Sequence, residues 1–335
     1  MNKRKVLASG LMLWVGSLYA QPDADGTRKK HQEPETTTPH GAAAESGDKW
    51  DLKAGFLIET ENVEGKTDRK GLWEPTLYLE ALRGDWTLYG SLYQENHNVA
   101  QYYGVKGRSD WFNQYEFNVR YQLLSRGRYE SGLMAGVRNY QWQYQREMGK
   151  AKRAYHSWRY TLQPDWRVQF TDNFVFSGWL ASYRYLHNVH NNALPGKELE
   201  SEAGWEYRLN NRLSVALNYY IDRGWSNSTD RRGEFSQQEL RVYLPLILSP
   251  PHVPETLATP YLRRTLRTYY YNDERRVKEG ETDTRFGLLL QQSLPCDLTL
   301  SLEYALELQH YHAVAGERAG DGKYHYTGFG MVWQF

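Results

Sequence analysis

From Trp50 to the C-terminus, apolar and polar residues alternate along the chain in runs of about 10 to 14 residues. The run 198–209 shows the pattern most clearly. Its odd positions read Leu, Ser, Ala, Trp, Tyr and Leu, and its even positions read Glu, Glu, Glu, Gly, Glu and Arg. A helix would distribute the apolar residues around its whole circumference, whereas a strand places them on one face. The alternation therefore predicts β-strands with one apolar and one polar face.

Fourteen such runs follow one another, and each one predicts a strand. They cover residues 50–62, 71–82, 86–97, 110–123, 129–145, 155–168, 174–187, 198–209, 213–226, 234–247, 258–271, 282–294, 298–312 and 323–335.

The connections between the predicted strands alternate between short and long. Short turns at 83–85, 124–128, 171–173, 210–212 and 295–297 suit the periplasmic side of an outer-membrane barrel. Longer loops at 63–70, 98–109, 146–154, 188–197, 227–233, 272–281 and 313–322 suit the extracellular side. The segment 249–257, which contains three of the prolines, belongs to the short side by its place in the alternation but is longer than the other turns.

Hydropathy and aromatic content indicate which kind of β-protein this is. Beyond Ala20 no segment approaches the ~20 apolar residues of a membrane-spanning helix, which excludes a helical membrane protein. A mean hydropathy of −0.78 remains compatible with a transmembrane barrel, because only alternate strand residues face lipid. The 27 tyrosines and 12 tryptophans suit aromatic girdles at the lipid–water boundaries. We therefore predict an all-β fold: a 14-stranded antiparallel transmembrane β-barrel in the outer membrane of a Gram-negative bacterium.

The two ends of the chain support export and closure of the barrel. Residues 1–20 have a basic start, an apolar stretch and a short Ser-Leu-Tyr-Ala segment, which predicts a signal peptide cleaved after Ala20 rather than a membrane anchor. Residues 21–48 are too polar to bury a core and are predicted to form a flexible tail, which leaves 49–335 for the barrel. The last strand ends in Phe335 and resembles the signal that outer-membrane barrels present to the barrel assembly machinery. Closure against the first strand removes an exposed edge.

The polar faces of the predicted strands carry charges of both signs, which are inexpensive in a wet lumen and costly in a dry core. Either these residues line a channel for small hydrophilic solutes, or they form a cross-strand ion-pair lattice that stiffens the wall, and both can hold together. The near balance of positive and negative charges on these faces predicts weak charge selectivity. The predicted inward acids are Glu59, Glu74, Glu80, Glu116, Glu200, Glu202, Glu206, Asp222, Glu239, Glu303 and Glu307. The predicted inward bases are Arg120, Arg138, Arg159, Arg167, Arg184, Arg208, Arg241, Arg263 and Arg285.

Other functions find less support in the sequence. The histidines and serines show no nucleophile motif and no metal-ligand spacing, so we predict neither catalysis nor a metal or cofactor. The single Cys296 cannot form an internal disulfide, and a net charge of +1 gives no reason to expect a nucleic-acid partner. Three alternatives remain: an outer-membrane lipid hydrolase, a structural or adhesion barrel with a closed lumen, and a narrow channel for acidic oligosaccharides.

Short segments in order along 49–335 resemble the OmpG family of monomeric outer-membrane porins. These are residues 61–65, 74–75, 93–95, 138–140, 164–166, 178–180, 218–220, 233–236, 243–246, 301–305 and 324–326. The resemblance implies a single-chain, weakly selective channel that admits mono- and oligosaccharides and is surrounded by outer-membrane lipid and lipopolysaccharide. It also implies a gate, in which the sixth extracellular loop enters the pore at acidic pH when two facing histidines become charged and repel.

The candidate gate departs from the family pattern. The positions that match the two histidines are Glu281 and Tyr311, with His310 and His312 beside the second. A contact of Glu281 with His310 or His312 would be attractive, because a carboxylate favours the charged imidazole. Loop 6, at about 272–281, stays the predicted moving part, with Asp273, Glu274, Arg275 and Arg276 as its charged residues. We therefore expect pH gating through this pair to be weakened or altered.

Overall fold

The computed structural model describes residues 49–63, 72–97, 110–144, 153–187, 195–226, 234–250, 253–272, 277–311 and 320–335. The predicted signal peptide and tail, at 1–20 and 21–48, lie outside the described residues. In the described part of the chain no helix is long and apolar enough to cross a membrane.

Fourteen antiparallel strands form one sheet in the described residues, which confirms the predicted fold class. They are β1 (Asp51–Val63), β2 (Leu72–Arg83), β3 (Trp86–His97), β4 (Asp110–Arg126), β5 (Tyr129–Tyr144), β6 (Arg153–Thr171), β7 (Phe174–His187), β8 (Lys197–Arg208), β9 (Ser214–Trp225), β10 (Phe235–Tyr243, resumed at Leu246–Ile247), β11 (Thr256–Asn272), β12 (Glu281–Leu294, preceded by Val277–Glu279), β13 (Leu298–Tyr311) and β14 (Gly320–Gln334).

The sheet closes on itself. Each strand pairs with the next, and β1 pairs with β14 from Lys53–Gln334 to Val63–Tyr324. Backbone hydrogen bonds between Leu52 and Phe335, at 2.9 and 3.1 Å, extend this seam to the last residue of the chain. Closure satisfies the backbone groups that an edge strand would leave unpaired, which a lipid environment requires.

The short connections are tight turns at one end of the barrel. Gly84 and Gly127 adopt φ values of +56° and +60°, a conformation that glycine accepts without steric cost. The exposed Cys296 lies in the turn after β12 at φ 69°. The long segment 249–257 follows the resumed part of β10 at Leu246–Ile247, and β11 begins at Thr256. Before it, β10 is interrupted at Leu244 and Pro245. A proline lacks the N–H that a ladder hydrogen bond needs.

The outer face of the barrel is apolar and aromatic. Exposed leucines and rings alternate along the strands, as at Leu77 and Leu79 on β2 or Tyr115 and Phe117 on β4. Aromatic clusters lie near the end with the short turns, and their ring centroids are 4.5 to 6.3 Å apart. They are Trp86 with Tyr121, Trp333 with Phe335, and a larger group in which Phe170, Phe174 and Phe176 contact Trp205 and Phe174 also contacts Tyr207. Such clusters are typical of the girdle where the apolar belt of a barrel meets water.

Candidate functional site

Strand alternation assigns the polar faces to the inside of the barrel. On β8 the side chains of Glu198, Glu200 and Glu202 are buried, whereas Trp205 and Tyr207 on the opposite face are 42% and 48% exposed. Hydrogen-bonded register carries this assignment from strand to strand around the barrel, because directly opposed residues lie on the same face.

On β4 to β6 the inner wall carries an ion-pair group around Glu116. Arg138 Nη2 lies 2.6 Å from one oxygen of Glu116, and Arg159 Nη2 lies 3.7 Å from the other. Arg138 also donates a hydrogen bond to Gln114 at 3.1 Å. The Arg159 guanidinium lies 4.1 Å from the ring centroid of Tyr183 on β7, within cation–π range. One carboxylate thus holds two arginines against the wall.

A second group centres on Arg241 of β10, which is fully buried. Its Nη1 lies 2.5 Å from Glu202 of β8 and its Nε lies 2.8 Å from Glu239 of the same strand. The guanidinium lies 3.6 Å from the ring centroid of Tyr220 on β9, which separates Arg241 from Glu202 along the wall. Two carboxylates and an aromatic face therefore compensate one desolvated cation.

Between these groups, tyrosine hydroxyls hold three carboxylates. Tyr185 donates to Glu198 at 2.7 Å, and Tyr183 and Tyr220 donate to Glu200 at 2.7 and 2.9 Å. Tyr220 also lies 3.4 Å from Asp222. Tyrosine is amphipathic, so its ring covers the wall while its hydroxyl reaches the acid. These contacts fix the carboxylates close to the strands that carry them.

The remaining wall, from β11 round to β1, has the same organisation. Arg285 lies 2.5 Å from Glu307, Tyr261 donates to Glu303 at 2.5 Å, and Tyr326 donates to Glu59. The Tyr261 ring lies over Gly287 of β12, where an added Cβ would fall 2.1 Å from the ring carbon Cζ. Glycine thus provides the space that allows Tyr261 to reach across β12 to Glu303 on β13.

Arg263 of β11 is the exception among the buried inner arginines of the described residues. No hydrogen bond or ion pair joins Arg263 to another described residue, and its guanidinium lies 5.1 Å from the ring centroid of Tyr261 and 5.9 Å from that of Tyr243. Cation–π attraction to the two rings compensates part of its desolvation.

Ion pairs with more exposed side chains lie nearer the short turns. Arg120 donates two hydrogen bonds to Asp165, at 2.6 and 2.8 Å, with both side chains about a quarter exposed. Lys53 lies 3.2 Å from Glu80, and Arg167 lies 3.7 Å from Glu130.

These inner contacts run along the wall. Each hydrogen bond or ion pair named above joins residues of the same strand or of strands at most two apart, as from Glu116 on β4 to Arg159 on β6. In a 14-stranded barrel, opposite sides of the lumen are seven strands apart. Within the described residues, the contacts named above therefore leave the centre of the barrel uncrossed.

The predicted inward residues fall on the inner face, with one exception. Arg184 lies between Tyr183 and Tyr185, whose hydroxyls bind inner carboxylates, so Arg184 is exposed on the outer face and its prediction is wrong. Alternation near the end of a strand is weak evidence when both faces carry polar residues. Sequence reasoning overlooked the inner tyrosines, and the predicted inward acids omitted Glu198 although the alternation of 198–209 places it on the polar face.

Comparison with known proteins decides the family. The sequence profile described as "Outer membrane protein G (OmpG)" matches residues 47–333. The chain is 35% identical over 298 residues to "Outer membrane porin G" of Escherichia coli (strain K12), covering 88% of this chain and 94% of that protein. The chain belongs to the OmpG family of outer-membrane porins. It is accordingly an outer-membrane channel protein of a Gram-negative bacterium and not an enzyme.

Solved structures agree at the level of the fold. The toluene transporter TodX of Pseudomonas putida is similar with a TM-score of 0.50 at 8% identity, covering 86% of this chain and 89% of that one. The CymD monoaromatic hydrocarbon channel matches with a TM-score of 0.49 at 8% identity, covering 85% of this chain and 88% of that one. At 8% identity, the match to TodX indicates a shared barrel fold alone.

The gate positions of this OmpG-family porin are only partly described. Glu281 pairs with Tyr311 across β12 and β13, so the two positions that match the family's histidines do face each other. His310 lies opposite Thr282, and alternation places it on the other face, where its Nδ1 lies 2.7 Å from Asp321. Backbone register therefore places position 310 on the opposite face of the wall from positions 281 and 311. His312 and residues 273–276 lie outside the described residues.

Within the described part of the chain, no group of three or more His, Cys, Asp or Glu residues is arranged to hold a metal ion.

Proposed function

We propose that this OmpG-family porin is a weakly selective, water-filled channel that works as a single chain and passes small hydrophilic solutes, including mono- and oligosaccharides. The observation that carries the proposal is the course of the inner contacts, which follow the wall between near strands. Fourteen strands spaced ~4.8 Å apart and tilted ~40° enclose a backbone diameter of roughly 28 Å, which leaves about 15 Å inside the side chains.

Weak charge selectivity follows from the pairing of the wall charges. Arg138, Arg241 and Arg285 each have a carboxylate within 2.8 Å, so their fields largely cancel at the distance of a passing solute. The tyrosine-held carboxylates Glu198, Glu200 and Asp222 remain without an arginine in direct contact. We therefore expect any residual preference to favour cations.

Sugar passage is testable with reconstituted liposomes. We expect swelling in isotonic monosaccharide to be fast and to slow progressively from disaccharide to longer oligosaccharides, as it should for a pore of fixed width. In a salt gradient, the reversal potential should be close to zero, with a small displacement of the sign that indicates a preference for cations. Liposomes that exclude monosaccharides, or a strong preference for anions, would contradict the proposal.

We expect the pH response of this channel to differ from closure by histidine repulsion. Glu281 and Tyr311 occupy the facing positions, and two like-charged imidazoles cannot arise there. Loop 6 remains the proposed moving part, so slow fluctuations of the current can persist without a strong pH dependence. Single-channel recordings between about pH 5 and pH 7.5 should show little change in open probability. Closing of the channel at the acidic end of this pH range, if it is abolished by His312→Gln, would contradict this expectation. The variant His156→Gln supplies a control.

A further inference from the structure

A sector of the outer face carries five basic side chains. Alternation on β7 to β11 directs these residues away from the lumen, and all five are exposed. We call them the outer basic band: Arg184, Lys197, Arg223, Arg264 and Arg267. Arg184 and Lys197 are directly opposed across β7 and β8.

The band lies at one height on the barrel. A strand residue advances ~3.3 Å along the strand, or about 2.5 Å along the barrel axis at a tilt of ~40°. Arg184 lies ten positions from Phe174 at the short-turn end of β7, and Arg223 lies nine positions from Ser214 on β9. The five residues therefore lie roughly 20 to 28 Å above the periplasmic ends, at the upper boundary of an apolar belt about 25 Å tall.

The positive charge of the band is not balanced on its own surface. Within the described strands β7 to β11, the outward positions hold no Asp or Glu, because the acids of these strands occupy the inner face. Among described residues, the polar contacts of the band are a hydrogen bond from Arg264 to Thr284 and a cation–π contact of Arg223, 5.0 Å from the centroid of the Trp225 ring. A concentrated positive charge at this depth therefore lacks a partner within these strands.

A depression in the surface accompanies the charge. Its volume is about 500 Å³, and its lining includes Arg184, Lys197, Leu199 and Trp225 of the outer face. Tyr183 and Glu198 also line it, but their polar groups form hydrogen bonds on the inner face. Tryptophan favours the boundary between acyl chains and headgroups, and the leucine continues the apolar surface below it. The site thus offers cations above and apolar surface beneath, which suits a molecule with an anionic head and acyl chains.

We propose that the outer basic band binds the phosphorylated headgroup of a glycolipid in the outer leaflet of the outer membrane. Phosphate oxygens accept several hydrogen bonds at once, and arginine donates in a geometry that matches them. The band places four arginines and a lysine on four adjacent or near strands, so more than one phosphate of the same lipid can be engaged. Elsewhere at this height, β4 and β6 present the neutral rings of Tyr115, Trp158 and Tyr160, and β14 presents one lysine, Lys323, with Asp321 two positions further along the same face.

The proposal predicts selective lipid binding by the folded full chain. Native mass spectrometry with added bis-phosphorylated lipid A should show a bound lipid whose apparent affinity falls about 100-fold in the triple variant Arg184→Gln, Lys197→Gln, Arg223→Gln. The matched control is Arg126→Gln, Arg128→Gln, Arg212→Gln, which removes the same charge at the exposed periplasmic end and should bind as the parent does.

Further measurements identify the source of the phosphate and show whether the triple variant is correctly folded. Dephosphorylated lipid A should bind as weakly to the parent as bis-phosphorylated lipid A binds to the triple variant, and millimolar inorganic phosphate should not displace the lipid. Unchanged channel conductance of the triple variant would show that its barrel is intact. Equal lipid binding by the parent and the triple variant, or displacement by inorganic phosphate alone, would overturn the proposal.

Discussion

Replacing Arg241 with methionine is expected to destabilise the folded barrel by about 3–5 kcal/mol, because the change leaves two buried carboxylates without their cation. Glu202 and Glu239 lie 2.5 and 2.8 Å from this guanidinium, and all three side chains are nearly inaccessible to water. Methionine fills a similar volume, so the loss is mainly electrostatic. The measurement is the free energy of unfolding from urea titration of the barrel refolded into lipid vesicles.

The matched control for this prediction is Arg120→Met. This change also leaves a carboxylate, Asp165, without its cation, but both side chains of the pair are about a quarter exposed, so water screens the remaining charge. We expect a cost of ~1 kcal/mol or less. The additional changes Glu202→Gln and Glu239→Gln should restore much of the stability lost with Arg241. Equal costs for the two arginines, or no rescue, would show that the buried lattice does not support the wall.

Deleting residues 325–335 is expected to abolish the folded barrel. These residues form the larger part of the β14 ladder with β1, from Lys53–Gln334 to Asn62–His325, and also pair with β13. Without them, two strands lose their partners and expose backbone groups that lipid cannot satisfy. Refolding into detergent, followed by electrophoresis without heating, should show the unfolded mobility only.

Deletion of residues 30–40 removes the same number of residues from the N-terminal region and provides the control. This variant should refold with the mobility and yield of the parent chain, because the closing ladder is retained. Refolding in detergent leaves the assembly machinery out, so the result reports on closure itself. A compact, protease-resistant barrel from the chain that ends at 324 would contradict the importance of this seam.

The strands could be predicted from the sequence because a transmembrane strand must separate its lipid-facing and inner residues at every second position. The prediction lost accuracy where that alternation breaks. The register of β4 shifts between Gln122 and Leu124, so Leu123 and Leu124 are both exposed, and the strand continues to Arg126 beyond the predicted end. A bulge of this kind adds one residue without ending the pairing. The interruption of β10 at Leu244 and Pro245 likewise falls inside the predicted strand 234–247.

The inner wall could be predicted in its charges but not in its pairings. The alternation along β10 assigns Arg241 to the inner face, yet its partner Glu202 lies two strands away. Barrel curvature and side-chain length decide that such a pair can form, and neither can be obtained from spacing in the sequence. The tyrosines were overlooked for a related reason. A ring such as Tyr183 suits a girdle as well as a lumen, and only its hydrogen bond to Glu200 distinguishes the two positions.

The histidine positions illustrate a further limit of sequence reasoning. His310 is adjacent in sequence to the gate position Tyr311, but one residue along a strand is the difference between the two faces of the wall. Matching segments between relatives leaves an uncertainty of about one residue, which is enough to reverse the direction of a side chain.

The most direct test of an open, water-filled lumen is the conductance of the purified barrel in a planar lipid bilayer. We predict discrete current steps of uniform size, present with single insertions and rising in proportion to the conductivity of the potassium chloride solution. Such scaling is what a pore filled with bulk-like electrolyte gives. Insertion of a folded barrel that produces no steps, or steps that saturate at low salt, would contradict the account.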